Sequence, residues 1–534
     1  MSYNNKRSAI FLPILLTLAI IVGMFINSLF QGNSSGESTI FQLPKAESKL
    51  EVVLDMVESD YVDTVSSADL VEQAIPALLK DLDPHTIYIP AKDLQRVNED
   101  LKGNFGGIGV QFIRYQDTVA IVRVIPGGPS ELAGIKAGDR LVTVNDTSIV
   151  GKELKDNDII SRLKGPKGTP VKVGVYRRST NETLEMELLR GSIPVPSVDV
   201  AYMINDEVGY IKVSRFAATT YFEFSEGLEK LQSEGVKKLI VDLRGNTGGY
   251  LSEATNMINE FLSENQMMVY TEGKSQPRTD YKSNGNGRFQ DLPVIVLIDE
   301  VSASASEIFA GAIQDNDRGK IVGRRSFGKG LVQEQRRLPD GSALRLTVAR
   351  YYTPTGRCIQ KPYNNGKEEY YNDLNLRFIH GEFEKKDSIH FNDSLKYTTP
   401  GGNTVYGGGG IMPDVFIPVD TSGYSNYFRD LRRNGIIYQY AFSFVDQYRE
   451  QMQGLKTHKD VLNFVKDKAI IKNLVAYADK KGVKPDSKGL RQSRKVIETQ
   501  LKAYIARDLI DDIGFYPIIR ELDKTLIEAE THFN

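Results

Sequence analysis

Residues 294–315 read VIVLIDEVSASASEIFAGAIQD. The apolar run at the start shows no polar alternation, which is the mark of a strand buried on both faces. A turn follows, and then apolar residues recur at helical spacing. Strand, turn and helix in that order predict an α/β layer. The turn holds three serines, Ser302, Ser304 and Ser306. A serine at a helix start most often caps it. At the carboxyl end of a strand in an open α/β sheet the same position is also where sites form. Backbone N–H groups there stabilise a developing oxyanion. Taken alone, the stretch leaves both readings open.

The same grammar extends outward. VGYIKV (208–213), KKLIVDLRG (237–245), KIVGR (320–324), ALRLTVARYYT (343–353) and DVFIPV (414–419) read as strands. FEFSEGLEKLQSEG (222–235) and SEATNMINEFL (252–262) read as helices, the first stopping at Gly235. Residues 191–423 are therefore expected to form an α/β core. Within it, 360–405 is polar and aromatic with little periodicity, and reads as an insertion. Residues 101–190 carry short β runs separated by glycine and proline turns, a compact β module with one helix at DIISRLKG. Residues 45–100 and 424–534 are helical by pattern, the latter without visible chemistry. At the start, Lys6 and Arg7 precede the apolar run Ala9–Phe30, long enough to cross a bilayer. We read 1–30 as an uncleaved membrane anchor, or a signal segment if it is cleaved, and 31–44 as a linker. The fold class is thus multidomain α+β: membrane helix, helical subdomain, β module, α/β core and helical tail.

Composition excludes several functions. The net charge of −2 gives no bulk field for nucleic acid. A single cysteine, Cys358, allows neither an internal disulfide nor a cysteine zinc site. The five histidines show no metal-ligand spacing, so no metal or other cofactor is expected.

Three further stretches matter. GRRSFGKG (323–330) nearly matches a phosphate loop, but Gly330 stands where the magnesium-binding hydroxyl belongs. Its Lys329, between two glycines and near Phe327 and Leu331, is better suited to act as a base if burial lowers its pKa. RGNTGG (244–249) ends a buried strand and can aim backbone N–H groups at an anion. NFGGIGVQF (104–112) is a glycine-rich loop entering a strand, suited to capturing a chain-terminal carboxylate.

Together these motifs resemble the C-terminal processing peptidases, or tail-specific proteases, over about residues 45–420. LDPHTIYI, FGGIGVQF and AGIKAGDRLVTVN, then VDLRGNTGGYLSEA, SASASEIFAGAIQD, VGRRSFGKGLVQ, LTVARYYTPTGRCIQ and GIMPDVFIP, stand in the family's order. The resemblance implies a PDZ domain at 101–190 and a serine endopeptidase core. It implies Ser304 as nucleophile, Lys329 as base and Gln333 as the group orienting the lysine. The Ala305 and Gly248 N–H groups would form the oxyanion hole. Phe105, Gly106, Gly107 and Ile108 would bind the C-terminus of a protein or peptide substrate. Asp315 matches an acidic family position and is read as structural. The anchor implies a catalytic part in the periplasm of a bacterium, and the tail a seat for an adaptor or a second copy. The competing readings are a catalytically silent PDZ-bearing scaffold and, more weakly, a nucleotide-binding protein.

Overall fold

The computed structural model describes residues 46–115, 117–151, 154–390 and 392–533. The anchor expected over 1–30 lies outside them. Among the described residues no helix is long and apolar enough to cross a membrane. The chain divides at Ile75/Pro76 into two units. The first holds the helix Ala46–Asp60 and the start of the helix Ser67–Leu79. Everything below concerns the second.

Its centre is a six-stranded sheet in the order Val198–Met203, Val208–Val213, Lys238–Asp242, Val294–Ile298, Gly319–Gly323, Val415–Phe416. The first pair is antiparallel and the others are parallel. All five residues of Val294–Ile298 are buried, as its unbroken apolar run predicts. Val241, Val296 and Ile298 pack on one face with Phe224 and Phe309 of the crossing helices and with Phe261, which follows another. Ile240, Ile295 and Leu297 pack on the other face. That second face is covered from the far end of the chain, by Leu526 and Ala529 of the helix Lys524–Glu530.

A second sheet stands beside it. Its long strand Ala343–Tyr352 pairs along one edge with Leu331–Arg337. Ile87–Ile89 and Met267–Glu272 pair with its two ends. LDPHTIYI, within the stretch read as helical over 45–100, therefore contributes a strand to this second sheet. The 360–405 stretch, read as aperiodic, contains the helix Lys367–Ile379. Its Tyr370 and Arg377 are buried while most other positions stay polar, so no stripe shows in the sequence.

The β module is a six-stranded sheet with the helix Asp156–Leu163. Among the described residues its strand Val110–Tyr115 pairs only with Thr118–Val124 and so forms an edge. The sheet's outer face sits on the tail. Ala120 and Val122 pack on the fully buried Phe442, whose ring lies 5.3 Å from that of Tyr115. Arg140 pairs with Asp446 at 2.8 Å.

Asp315 lies at the end of the helix Ala305–Asp315 and pairs with Arg357 at 2.6 Å, both side chains fully buried. Arg357 also donates to Gln314 Oε1 and the Tyr406 carbonyl. Asp315→Ala leaves a buried guanidinium short of its counter-charge. It is expected to cost about 3–5 kcal/mol of stability in chemical denaturation.

Candidate active site

The turn after Val294–Ile298 separates the three serines. Ser302 and Ser306 are fully buried. The Ser302 hydroxyl donates to the Leu243 carbonyl and that of Ser306 to the Asn246 carbonyl, both at 2.9 Å. They staple the turn to the RGNTGG loop. Of the three, only Ser304 lines a cleft of about 760 Å³. It caps the helix with φ 57° and ψ −115°, a conformation that a non-glycine residue adopts only when its surroundings impose it. The Ser304 carbonyl accepts from the Tyr351 hydroxyl at 3.1 Å.

Ala305 occupies the first helical position, where the N–H has no intrahelical acceptor. Gly248 lies against it at φ +99°. A Cβ there would fall 2.7 Å from Ser304 Cβ and 3.0 Å from Ala305 N, so only glycine allows the two loops to meet. The Gly248 N–H donates to Asn246 Oδ1 at 2.9 Å.

Lys329 lines the same cleft. Burial pushes its ammonium pKa below the usual 10.5, and the nearby Arg345 charge pushes the same way; Glu307 and Asp83 oppose. Its Nζ donates to Gln333 Oε1 at 3.2 Å, and Gln333 Nε2 donates to the His85 carbonyl at 2.6 Å. If neutral Lys329 is the working form, activity rises with pH through its pKa. Arg345→Gln removes a repulsive charge and raises that pKa. The acid limb of kcat/KM is then expected to move to higher pH, with severalfold lower activity at neutral pH.

The residue that joins these parts is Glu307, which sequence reasoning passed over. It is wholly buried. Its carboxylate accepts from the N–H groups of Ser304 (2.8 Å), Gly328 (2.7 Å) and Lys329 (2.8 Å) and from the Ser326 hydroxyl (2.5 Å). Burial pushes its pKa up to about 7 against these donors. The signal was present: Ser304 and Glu307 have the S-x-x-E spacing of a capping box. The same contacts remove the phosphate-loop reading. The Gly328 and Lys329 N–H groups are spent on Glu307, and a strand, Leu331–Arg337, follows where a helix is required.

Asp83 anchors the segment that supplies the His85 carbonyl. It accepts from the N–H groups of His85 and Thr86 and from the hydroxyls of Thr86 and Thr347. Burial opposes these hydrogen bonds, yet the carboxyl stays below its usual pKa.

Phe105, Gly106 and Gly107 lie elsewhere. They belong to the strand Asn104–Gly107, which pairs with Gly191–Pro194. The Lys164 ammonium sits 4.1 Å from the Phe105 ring centre. Ile108 is buried in the β module's core, two residues before the edge strand. Phe105 and Gly106 line a separate depression of about 380 Å³. Asn98 and Lys102 of the helix Ala91–Lys102 wall both this depression and the Ser304 cleft. Among the described residues no group of three His, Cys, Asp or Glu side chains could hold a metal ion.

An α/β core with a strained serine at a helix mouth is thus preceded by a β module with an edge strand. Residues 207–366 match the model of peptidase family S41, 106–188 match the PDZ domain, and 427–511 match a family of unknown function. The chain is 34% identical over 313 residues to a carboxy-terminal-processing protease of Bartonella bacilliformis, covering 58% of this chain and 71% of that one. It is 33% identical over 345 residues to a probable CtpA-like serine protease of Staphylococcus aureus, covering 64% and 67%. A solved photosystem II D1 C-terminal processing protease aligns with 70% of this chain and 94% of its own, at 25% identity and a TM-score of 0.36. The chain belongs to the carboxy-terminal processing proteases of peptidase family S41 and is a serine-type peptidase with a PDZ domain.

Proposed function

We propose that the chain is an endopeptidase in which Ser304 attacks and Lys329 takes its proton, on proteins held by their C-terminal tails. One observation carries the reading: a single buried carboxylate, Glu307, grips the backbones of Ser304 and Lys329 together. It sets the serine turn and the lysine loop against each other before substrate arrives, as preorganised catalysis requires.

The chemistry follows from these groups. Neutral Lys329 accepts the Ser304 Oγ proton as the oxygen bonds to the peptide carbonyl carbon. The oxyanion receives the Ala305 N–H and the Gly248 N–H, the latter released by Asn246 Oδ1. Lys329, now an ammonium, returns the proton to the departing amine as the C–N bond breaks. Water then cleaves the acyl-enzyme by the same route. Gln333 holds one N–H of the lysine and leaves its lone pair for the serine.

A substrate C-terminus would enter near Phe105–Ile108 and add as a strand to the free edge Val110–Tyr115. The upstream chain would then pass the helix Ala91–Lys102 into the cleft. The apolar run at 9–30 would tether this machinery to a bacterial inner membrane with the catalytic part in the periplasm. The tail would offer a surface to an adaptor or a second copy.

The test is digestion of an unfolded protein with a free apolar C-terminus, followed by mass spectrometry. Internal cleavage is expected, with slower cleavage when that terminus is amidated. No cleavage of either substrate would favour the silent scaffold. Equal rates would refute tail recognition.

A further inference from the structure

The LDPHT segment and the 360–405 excursion meet behind the lysine, and neither has a role in the chemistry above. We infer that the excursion helix Lys367–Ile379 buttresses the base, with Tyr370 a positioning residue that acts through His85 and Gln333 on Lys329. The inference rests on the reading of Lys329 as the base.

The argument starts at Gln333. A side-chain amide can turn either end toward a lysine. A backbone carbonyl only accepts, so the His85 carbonyl, 2.6 Å away, demands the NH₂ end of Gln333. Oε1 then faces Lys329 Nζ at 3.2 Å. The direction of the lysine's N–H bonds therefore depends on where the His85 peptide sits.

That peptide is fixed from two sides. On its own segment, Asp83 accepts the Thr86 N–H, which belongs to the same peptide unit, at 3.0 Å, and the preceding His85 N–H at 2.8 Å. From the excursion, the Tyr370 hydroxyl shares a hydrogen bond of 2.8 Å with His85 Nε2, and the two rings meet edge to face at 5.3 Å. Burial, followed by the charge of Lys329, holds the imidazole pKa at about 4, so the ring is neutral at neutral pH. It contributes orientation and no competing charge.

Tyr370 is itself locked and is 2% exposed. Its ring stands edge-on to Phe327, two residues before Lys329, at 5.7 Å. The Lys361 ammonium lies 3.9 Å from the Phe327 ring centre and 4.3 Å from that of Tyr370. It donates to the Tyr370 carbonyl and to Asp373. One side chain of the excursion thus reaches Lys329 by two routes, along the loop through Phe327 and at the amine through His85 and Gln333.

The experiment is a double-mutant cycle on the full chain. Tyr370→Phe removes only the hydroxyl. Its kcat and KM are measured in the wild type and in Gln333→Ala, with Ser304→Ala as control and thermal unfolding alongside. In the wild type, kcat is expected to fall about five- to tenfold, the scale of one lost hydrogen bond, with KM unchanged. In Gln333→Ala the same substitution is expected to have no further effect on kcat, because its route to the lysine is already cut. Equal losses in both backgrounds, or no loss in the wild type, overturn the proposal. A loss caused by destabilisation would be the same in both backgrounds and counts against it. Activity retained by Ser304→Ala would sink the Ser–Lys reading itself, and is seen independently of the cycle.

Discussion

Ser304→Ala is expected to lower kcat by at least about 10³-fold, the scale on which removing a nucleophile from a hydrolase acts. The other two hydroxyls of the turn cannot substitute. Ser302 and Ser306 are fully buried and donate to the Leu243 and Asn246 carbonyls. Moving either into the cleft would break the staples that shape it. The substitution should cost no more than about 1 kcal/mol of stability, the scale of a lost helix cap. Alanine at φ 57° carries the same backbone strain as serine, and the Ser304 N–H and carbonyl contacts to Glu307 and Tyr351 survive. The check is a peptide assay read by mass spectrometry, with thermal unfolding and peptide binding on the same sample. Near-wild-type turnover would move the nucleophile elsewhere. A large drop in unfolding temperature would make the loss one of folding and not of chemistry.

Lys329→Ala is expected to cost a similar factor, at least about 10³ in kcat, because no other buried amine lines the cleft among the described residues. Lys329→Arg should not restore activity, since a guanidinium keeps its proton at any working pH. The double variant Ser304→Ala/Lys329→Ala should be no worse than either single one, as groups that act as a unit are lost together. Additive losses would mean that the two residues work in separate steps. A Lys329→Arg variant with substantial activity would show that the positive charge matters and the proton transfer does not.

Much of the fold was legible because buried strands and amphipathic helices write their environment into local periodicity. Val208–Val213 matches its apolar run residue for residue, and Val294–Ile298 differs from its run only at the ends. The excursion helix escaped because a mostly polar helix with two buried positions leaves no stripe. The strand Ile87–Ile89 escaped because three residues are too few to show alternation.

The site divides in the same way. By itself the sequence determined the strand–turn–helix, the candidate serines at its turn, and a lysine between glycines with apolar neighbours; its burial came from the tertiary structure. The choice of Ser304 among the three came only from family resemblance; in the tertiary structure the hydroxyls on either side are spent on carbonyls 59 and 60 residues away. Only the tertiary structure decided that Glu307 ties the serine turn to the lysine loop 22 residues on. It also decided that the carbonyl of His85, 248 residues before Gln333, turns the amide that meets Lys329. A hydrogen-bond donor carries no record in its own neighbourhood of which distant acceptor will satisfy it. That pairing is settled when the sheets and the excursion helix pack, because most buried polar groups must then find a partner.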